Sequence, residues 1–212
     1  MAPQLRIYVP PHPLIKHWLG VLRSNTTPSP VFRSAMTELG RWLTYEAVRD
    51  WLPTVEMTIE TPLTSCPATF VDPEAAIAII PILRAGLALV EGIQSAVPNS
   101  TTYHVGLARN EETLEPTWLP ETFAPAARVI ISEPMMATGG TMMATLAELT
   151  QRGVDPALVR IISVVTAPPA LQKLAEAYPT LAVYAAIIDE GLDENGFIVP
   201  GLGDAGDRTF GT

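Results

Sequence analysis

Between residues 128 and 149 the chain reads RVIISEPMMATGGTMMATLAEL, which places an acid, Glu133, shortly before the small-residue turn Ala137-Thr138-Gly139-Gly140-Thr141. A turn of this kind at a helix start suits a phosphate. Glycines open backbone angles closed to other residues and leave no Cβ in a ligand's way. The first N–H groups of a helix have no partner inside it, and the helix dipole adds partial positive charge there. Thr138 and Thr141 can add hydroxyl donors, and Thr141 reads equally as the helix N-cap. Glu133 could accept bonds from hydroxyls beside the phosphate, so a sugar phosphate fits better than a bare one. The loop is not a P-loop, because Gly140 rather than Lys precedes Thr141, and two adjacent glycines do not make G-x-G-x-x-G. An ordinary strand-to-helix turn with capping threonines would carry the same residues.

The flanking sequence supplies the elements that such a loop needs. Val129-Ile130-Ile131 has the composition of a strand buried on both faces, and residues 142–149 are good helix formers with Leu146 and Leu149 on one side. From about residue 75 strands and helices alternate, the signature of a parallel sheet: strands at 75–83, 101–108, 158–166 and 181–188, helices at 85–95 and 171–178. Open sheets of this kind bind ligands beyond the carboxyl ends of their strands. Arg84 stands at such an end and could hold a diphosphate through charge-assisted bonds, or cap a local carbonyl. Gly86 beside it would tolerate close approach.

Residues 1–73 read as an accessory region. Ile7 and Val9 suggest a short strand ended by Pro10, Pro11 and Pro13. Phe32, Met36, Leu39, Leu43 and Ala47 give helical periodicity over 31–52, and strict alternation predicts a half-buried strand at 54–60. Pro62, Pro67 and Pro73 then mark a loop. His12 and His17 are five apart, off the spacing of a helical metal pair, which points to packing, and His104 reads as structural within strand 101–108. At the other end, residues 191–211 are rich in Gly and Asp with no helical period, yet Phe197-Ile198-Val199-Pro200 is apolar and stiff. That combination suits a pocket whose backbone groups face a flat base.

The bulk numbers narrow the class. A chain of 212 residues, 48% hydrophobic, suits one globular domain with a sizeable core. A net charge of −9 excludes a general nucleic-acid surface. With only 13 Lys and Arg, a phosphate site must rely on helix N-termini, a few arginines and a metal ion. The longest apolar run, 75–83, is too short to span a bilayer, and the N-terminus has no signal-peptide pattern. The single Cys66 rules out an internal disulfide and fits a reducing compartment, so a cytoplasmic protein without membrane or nucleic-acid partners is expected.

Four stretches carry a family resemblance. EPMMATGGT (133–141) resembles the ribose-phosphate loop of type I phosphoribosyltransferases, most closely the uracil phosphoribosyltransferase family. PILRAG (81–86), RNEETLEP (109–116) and VPGLGDAGD (199–207) are similar to motifs of the same family, and weaker likeness runs from His12 to the end. The last motif separates uracil enzymes from those using purines or orotate. The resemblance implies an α/β fold, with a central, mostly parallel sheet flanked by helices and a small hood formed by the terminal segments and a β-arm. Residues 74–189 would form the core and 190–212 the base-binding hood. It implies transfer of ribose 5-phosphate from 5-phosphoribosyl 1-diphosphate to uracil, giving UMP, with Mg²⁺ held mainly by the substrate and no dedicated protein metal ligands. Arg84, Arg109 and Asp204 would be catalytic. Those three, with Glu133, Pro134, Met135, Met136, Ala137, Thr138, Gly139, Gly140 and Thr141, would bind the phosphoribosyl diphosphate, Arg109 from a mobile arm. Phe197, Ile198, Gly203, Asp204 and Ala205 would bind uracil. A homodimer or homotetramer, and GTP as an activator, are expected on the same ground.

The sequence also departs from the family pattern. Glu133 stands where Asp is usual, about 1.5 Å longer by one C–C bond. Thr141 replaces Ser, Phe197 a common Tyr, Ala108 a frequent aromatic, and Ala167-Pro168-Pro169-Ala170 a common Ala-Pro-Glu-Gly. Two alternatives therefore stay open: a catalytically weak paralogue that senses a nucleotide, and an RNA-binding pyrimidine regulator, against which the acidic charge counts.

Overall fold

The computed structural model describes residues 4–104 and 128–212. In chain order these form β1 (Arg6–Tyr8), α1 (Pro13–Arg23), α2 (Ser29–Ala47), β2 (Thr54–Glu60), β3 (Ser65–Val71), β4 (Ile77–Pro81), α3 (Leu87–Ala96) and β5 (Thr101–Thr102). After residue 127 come β6 (Arg128–Ser132), β7 (Met135–Met136), α4 (Gly140–Gln151), β8 (Val159–Thr166), α5 (Pro168–Ala177), β9 (Ala182–Ile188), β10 (Gly191–Leu192), β11 (Ile198–Val199) and α6 (Ala205–Phe210).

All pairings in the main sheet are parallel, in the order β1-β9-β8-β6-β4-β5, with β7 continuing the β6 side along the end of β8. Every residue of β4 and β8 is buried, as expected for strands covered on both faces. The pleat divides the side chains of β4, β6 and β8 between two cores. Ile79, Ile130, Ile162 and Val164 meet α1, α2 and α3, while Ile80, Val129, Ile131 and Ile161 meet α4 and α5. The chain runs from β4 outward to β5, then returns to the other side of β4 as β6. That reversal is a switch point, and it opens a crevice above the carboxyl ends of β4 and β6.

Apart from 101–108, the expected strands and helices of the alternating region form, within a few residues of the bounds read from the pattern. Several segments differ. A helix, α1, occupies the region where the prolines suggested only a break, because Pro13 falls at its first position, where no N–H is needed. His12 caps it, accepting the Leu14 N–H on Nδ1 and stacking on Trp42, so this histidine packs, as expected. The loop expected around Pro67 is β3, paired with β2 in a separate two-stranded ribbon, with Pro67 opposite Thr58. Such a ribbon has free edges on which Pro's missing donor is tolerated. Its isolation also leaves β2 less covered than its alternation suggested: Val55 and Ile59 are half-buried, Met57 exposed. β5 ends at Thr102, so His104 lies beyond it, exposed; the rest of the expected strand 101–108, including Ala108, lies outside the described residues. The tail expected to lack helix ends in α6. Among the described residues no helix is long and apolar enough to cross a membrane.

α2 and α3 cross closely through small residues. A Cβ added at Gly92 would meet the Thr37 carbonyl oxygen at 1.9 Å and Arg41 N at 2.6 Å. Gly92→Ala is expected to cost about 3 kcal/mol through this clash, read as a lower midpoint in urea unfolding without a changed slope.

Candidate active site

The crevice is built from two turns. After β4, residues 82–86 turn with a cis Leu83–Arg84 peptide and place Arg84 in solvent. The turn is strapped to the end of β6: Ile82 N–H donates to Ser132 O (3.1 Å) and Ser132 Oγ donates to Gly86 O (3.0 Å). A Cβ at Gly86 would meet Ser132 O at 2.4 Å. The close approach that Gly86 permits is therefore made by the neighbouring strand, not by a ligand.

Beyond Ser132 the second turn begins. Glu133 N–H donates to Ile162 O, and Pro134 O accepts the N–H groups of Val164 and Val165, which fixes the loop to β8. A cavity of about 100 Å³ is lined by Glu133 and residues 135–142. The two glycines in it have different tasks. Gly139 has φ 78° and packs against Ala170, so it sets the turn, whereas a Cβ at Gly140 would find only Thr138 Oγ1, at 3.9 Å, so it keeps the helix start open. The N-cap of α4 is Gly139, with no side-chain cap. Thr141 is thus not the cap; it lies inside the first turn, because the left-handed glycine already ends the loop. The first N–H groups of α4 face the cavity without a side-chain acceptor, as an anion site requires. Lys173 of α5 adds a cation here, its Nζ donating to Thr138 O at 2.8 Å.

Glu133 is half-buried against this loop. Burial pushes its pKa up from 4.5 to about 8, opposed only by a long bond from Met135 N–H at 3.4 Å. Near neutral pH the free protein therefore holds it mostly as the acid.

The C-terminal segment closes the crevice. β10 and β11 form a hairpin whose turn is held by Asp193 Oδ1, accepting from Asn195 and Phe197 N–H. Ile198 is buried while Phe197 is half exposed. A cis Val199–Pro200 peptide leads to Gly201, at φ 56°, where a Cβ would lie 2.0 Å from Ile198 O. Gly201 N–H donates to buried Asp189, which also pairs with Arg23 of α1. Asp204 is exposed and caps α6, accepting Asp207 N–H at 3.0 Å. Asp207 then reaches Arg84: Oδ1 lies 3.0 Å from Nη2, and the guanidinium is 5.9 Å from the Phe210 ring.

Arg84, residues 133–141, Asp204 and the segment 197–205 are thus attached to one end of the sheet, while Arg109 and the expected arm at 109–116 lie outside the described residues. The sequence reading missed Asp207, Asp189 and Lys173. Asp207 stood inside a quoted motif, but nothing local ties it to a residue 123 positions away.

Comparison with known proteins agrees with this geometry. The profile of the uracil phosphoribosyltransferase family matches residues 9–212. A protein of Nostoc sp. named uracil phosphoribosyltransferase is 64% identical over 216 residues, covering 100% of both chains. A solved Aquifex aeolicus protein superposes with a TM-score of 0.85 at 34% identity, over 96% of this chain and 97% of that one. An orotate phosphoribosyltransferase of Mycobacterium tuberculosis, solved with 5-phospho-alpha-D-ribosyl 1-diphosphate, shares the fold at a TM-score of 0.51 and 14% identity, covering 84% of this chain and 90% of that one.

Glu133 gives a signed prediction. A folded pKa near 8 against an ordinary 4.5 means the folded state loses stability as pH rises from 4.5, levelling off above 8. Glu133→Gln removes that loss. The variant's advantage in thermal or urea unfolding should be near zero below pH 4.5, grow by at most about 1.4 kcal/mol per pH unit, and flatten above pH 8.

Proposed function

The chain belongs to the uracil phosphoribosyltransferase family, a family of pentosyl-transferring enzymes, and from that premise we propose how its residues carry out the transfer. The C1–O bond to diphosphate in 5-phosphoribosyl 1-diphosphate breaks and a C1–N1 bond to uracil forms, giving UMP and diphosphate, while the N1 proton passes to the departing diphosphate or to water. The observation that carries this assignment is the meeting of the Arg84 turn and the Glu133 loop at one switch point, strapped together through Ser132. A diphosphate and a ribose phosphate are adjoining groups of one molecule, and these are adjoining sites.

The 5-phosphate sits in the loop 137–141, against the first N–H groups of α4, with Thr138 and Thr141 as hydroxyl donors. Glu133 takes the ribose hydroxyls. Its protonated form can donate one bond and accept another, which suits a diol. Positive charge develops at the sugar and negative charge on the leaving diphosphate, so catalysis consists largely of positioning and leaving-group stabilisation. Arg84 meets the diphosphate after exchanging Asp207 for it, and Arg109 joins from the arm at 109–116. Neither a covalent nucleophile nor a general base is required by this scheme.

Uracil presents acceptor, donor and acceptor along one edge. Main-chain groups at Ile198 and at Gly203, Asp204 and Ala205 match it, with Phe197 beside the ring. Cytosine would bring an amino donor to a place built for O4, and a mismatch of that kind discriminates strongly.

Residues fit Mg²⁺ carried in on the substrate. Asp204 is exposed, and only its Oδ1 is spent on Asp207 N–H, which leaves its second carboxylate oxygen, a hard donor, unused. When bound, the ion supplies neutralisation of the diphosphate's charge. Turnover, rather than nucleotide sensing alone, is supported by the name borne by relatives at 64% and 59% identity. A homodimer or homotetramer is supported by the exposed β2–β3 ribbon, a cytoplasmic location by the lone Cys66, and activation by GTP by the family resemblance alone.

Incubation with 5-phosphoribosyl 1-diphosphate, Mg²⁺ and each of uracil, cytosine and orotate tests the assignment. UMP from uracil, with the other bases at least about 10³-fold poorer in kcat/KM, is the expected result. No turnover with any base, while UMP still binds, would return the chain to the sensor reading.

A further inference from the structure

At the amino ends of the strands, opposite the crevice, lies a second gathering of donors that the transfer reaction does not use. Arg160 of β8, Ala182 of β9 and Arg6 of β1 stand in one row across the sheet. On the other side of Arg160 is Ile130, two residues after Arg128. The strand period puts Arg6, Arg128 and Arg160 on one face, that of α2 and Trp51. The guanidinium of Arg160 is 5.5 Å from the Trp51 ring centroid and that of Arg128 is 6.0 Å away.

The hydrogen bonds here do not balance. Arg128 Nε donates to Trp51 O, and Arg160 Nη1 donates to the carbonyls of Ala157 and Val159. Arg160 is 7% exposed and Trp51 5%, yet Arg160 Nε and Trp51 Nε1 are both buried without an acceptor. None of the three arginines forms an ion pair among the described residues. The chain has 22 acids against 13 bases, so acids are plentiful, yet among the described residues none pairs with these three. Burial pushes the Arg160 pKa below its ordinary value; Tyr184 opposes this, and Arg6 and Arg128 add to it. Around the three guanidinium groups the donors outnumber the acceptors paired with them.

A cavity of about 410 Å³ adjoins the row. Tyr8 and Tyr184 line it, stacked at 4.8 Å, each two residues along the same face from Arg6 and Ala182. His12, Glu46, Arg49 and Asp50 also line it; Arg49 is paired with Glu46, Asp50 pairs with none of the three arginines, and those three lie behind the tyrosines rather than in the wall.

We propose that Arg6, Arg128 and Arg160 form a second anion site, for a phosphate group, at the amino edge of the sheet and reached from the Tyr8–Tyr184 cavity. A phosphate supplies what the cluster lacks: several acceptor oxygens and up to two negative charges for forked guanidinium donors. A carboxylate supplies less charge and fewer acceptors. The group can be free phosphate or the phosphate of a small ester, and the site is independent of the transfer reaction.

The test is fluorine NMR on the full chain labelled with 5-fluorotryptophan, the Trp51 line among four being assigned with Trp51→Phe. Inorganic phosphate, methyl phosphate and acetate are titrated at constant ionic strength. A saturable movement of the Trp51 line, half-complete near about 1 mM phosphate, is expected. Arg6→Gln, at an exposed position, should weaken it about tenfold while leaving the other lines in place, and Arg128→Gln should weaken it further. Thr138→Val, in the loop at the other end of the sheet, should leave it unchanged. Tighter binding of methyl phosphate would identify an ester as the source, and tighter binding of inorganic phosphate the free ion. No saturable shift, an equal response to acetate or chloride, or loss in Thr138→Val but not in Arg6→Gln would overturn the proposal.

Discussion

The site depends on a single buried residue, Ser132, at the end of β6. Its carbonyl accepts from Ile82 and its hydroxyl donates to Gly86, so two hydrogen bonds beyond the reach of water fix the turn after β4 against the loop after β6. Pro81 and Ser132 are register partners, and Glu133 follows immediately. The sheet therefore delivers Arg84 and Glu133 from neighbouring strands at the point where the chain reverses direction across the sheet. Two groups proposed to act on adjoining parts of one substrate need their spacing fixed by the scaffold, and buried bonds between strand ends do that better than the turns could alone.

The rest of the assembly is closed by contacts distant in sequence. Buried Asp189 at the end of β9 joins Arg23 of α1 to Gly201, and Arg208 of α6 reaches the carbonyls of Leu22, Ser24 and Leu202 while lying 4.3 Å from the Phe32 ring. These hold the proposed base-binding segment against the first two helices. In a chain of net charge −9, positive charge gathers in two places: Arg84, Lys173 and the start of α4 at the crevice, and Arg6, Arg128 and Arg160 at the amino ends of the strands.

Much of this was legible in the chain, and the exceptions have a pattern. β-branched runs such as Val129-Ile130-Ile131 and the Phe32–Ala47 periodicity declare their elements because burial on two faces or one face leaves a local signature. The small-residue turn 137–141 is legible as a strand-to-helix turn for another local reason, the positive φ that only a glycine such as Gly139 adopts freely. Proline misled the reading at Pro13 and Pro67, since its meaning depends on position: helix start in one case, ribbon edge in the other. α6 has six residues, too few to show a period. Neither the Arg84–Asp207 pair nor the raised pKa of Glu133 has a local signature, because both arise from surroundings assembled by the fold.

Asp207 holds Arg84 in the free protein, and in the proposed reaction a diphosphate replaces it. Calorimetric binding of 5-phosphoribosyl 1-diphosphate with Mg²⁺ to the wild type, Asp207→Asn, Arg84→Ala and the double variant tests it as a thermodynamic cycle. Tighter binding by Asp207→Asn, through release of Arg84, is expected, with no effect of Asp207→Asn once Arg84 is alanine. Weaker binding by Asp207→Asn, equal in both backgrounds, would contradict it and leave Arg84 a surface ion pair.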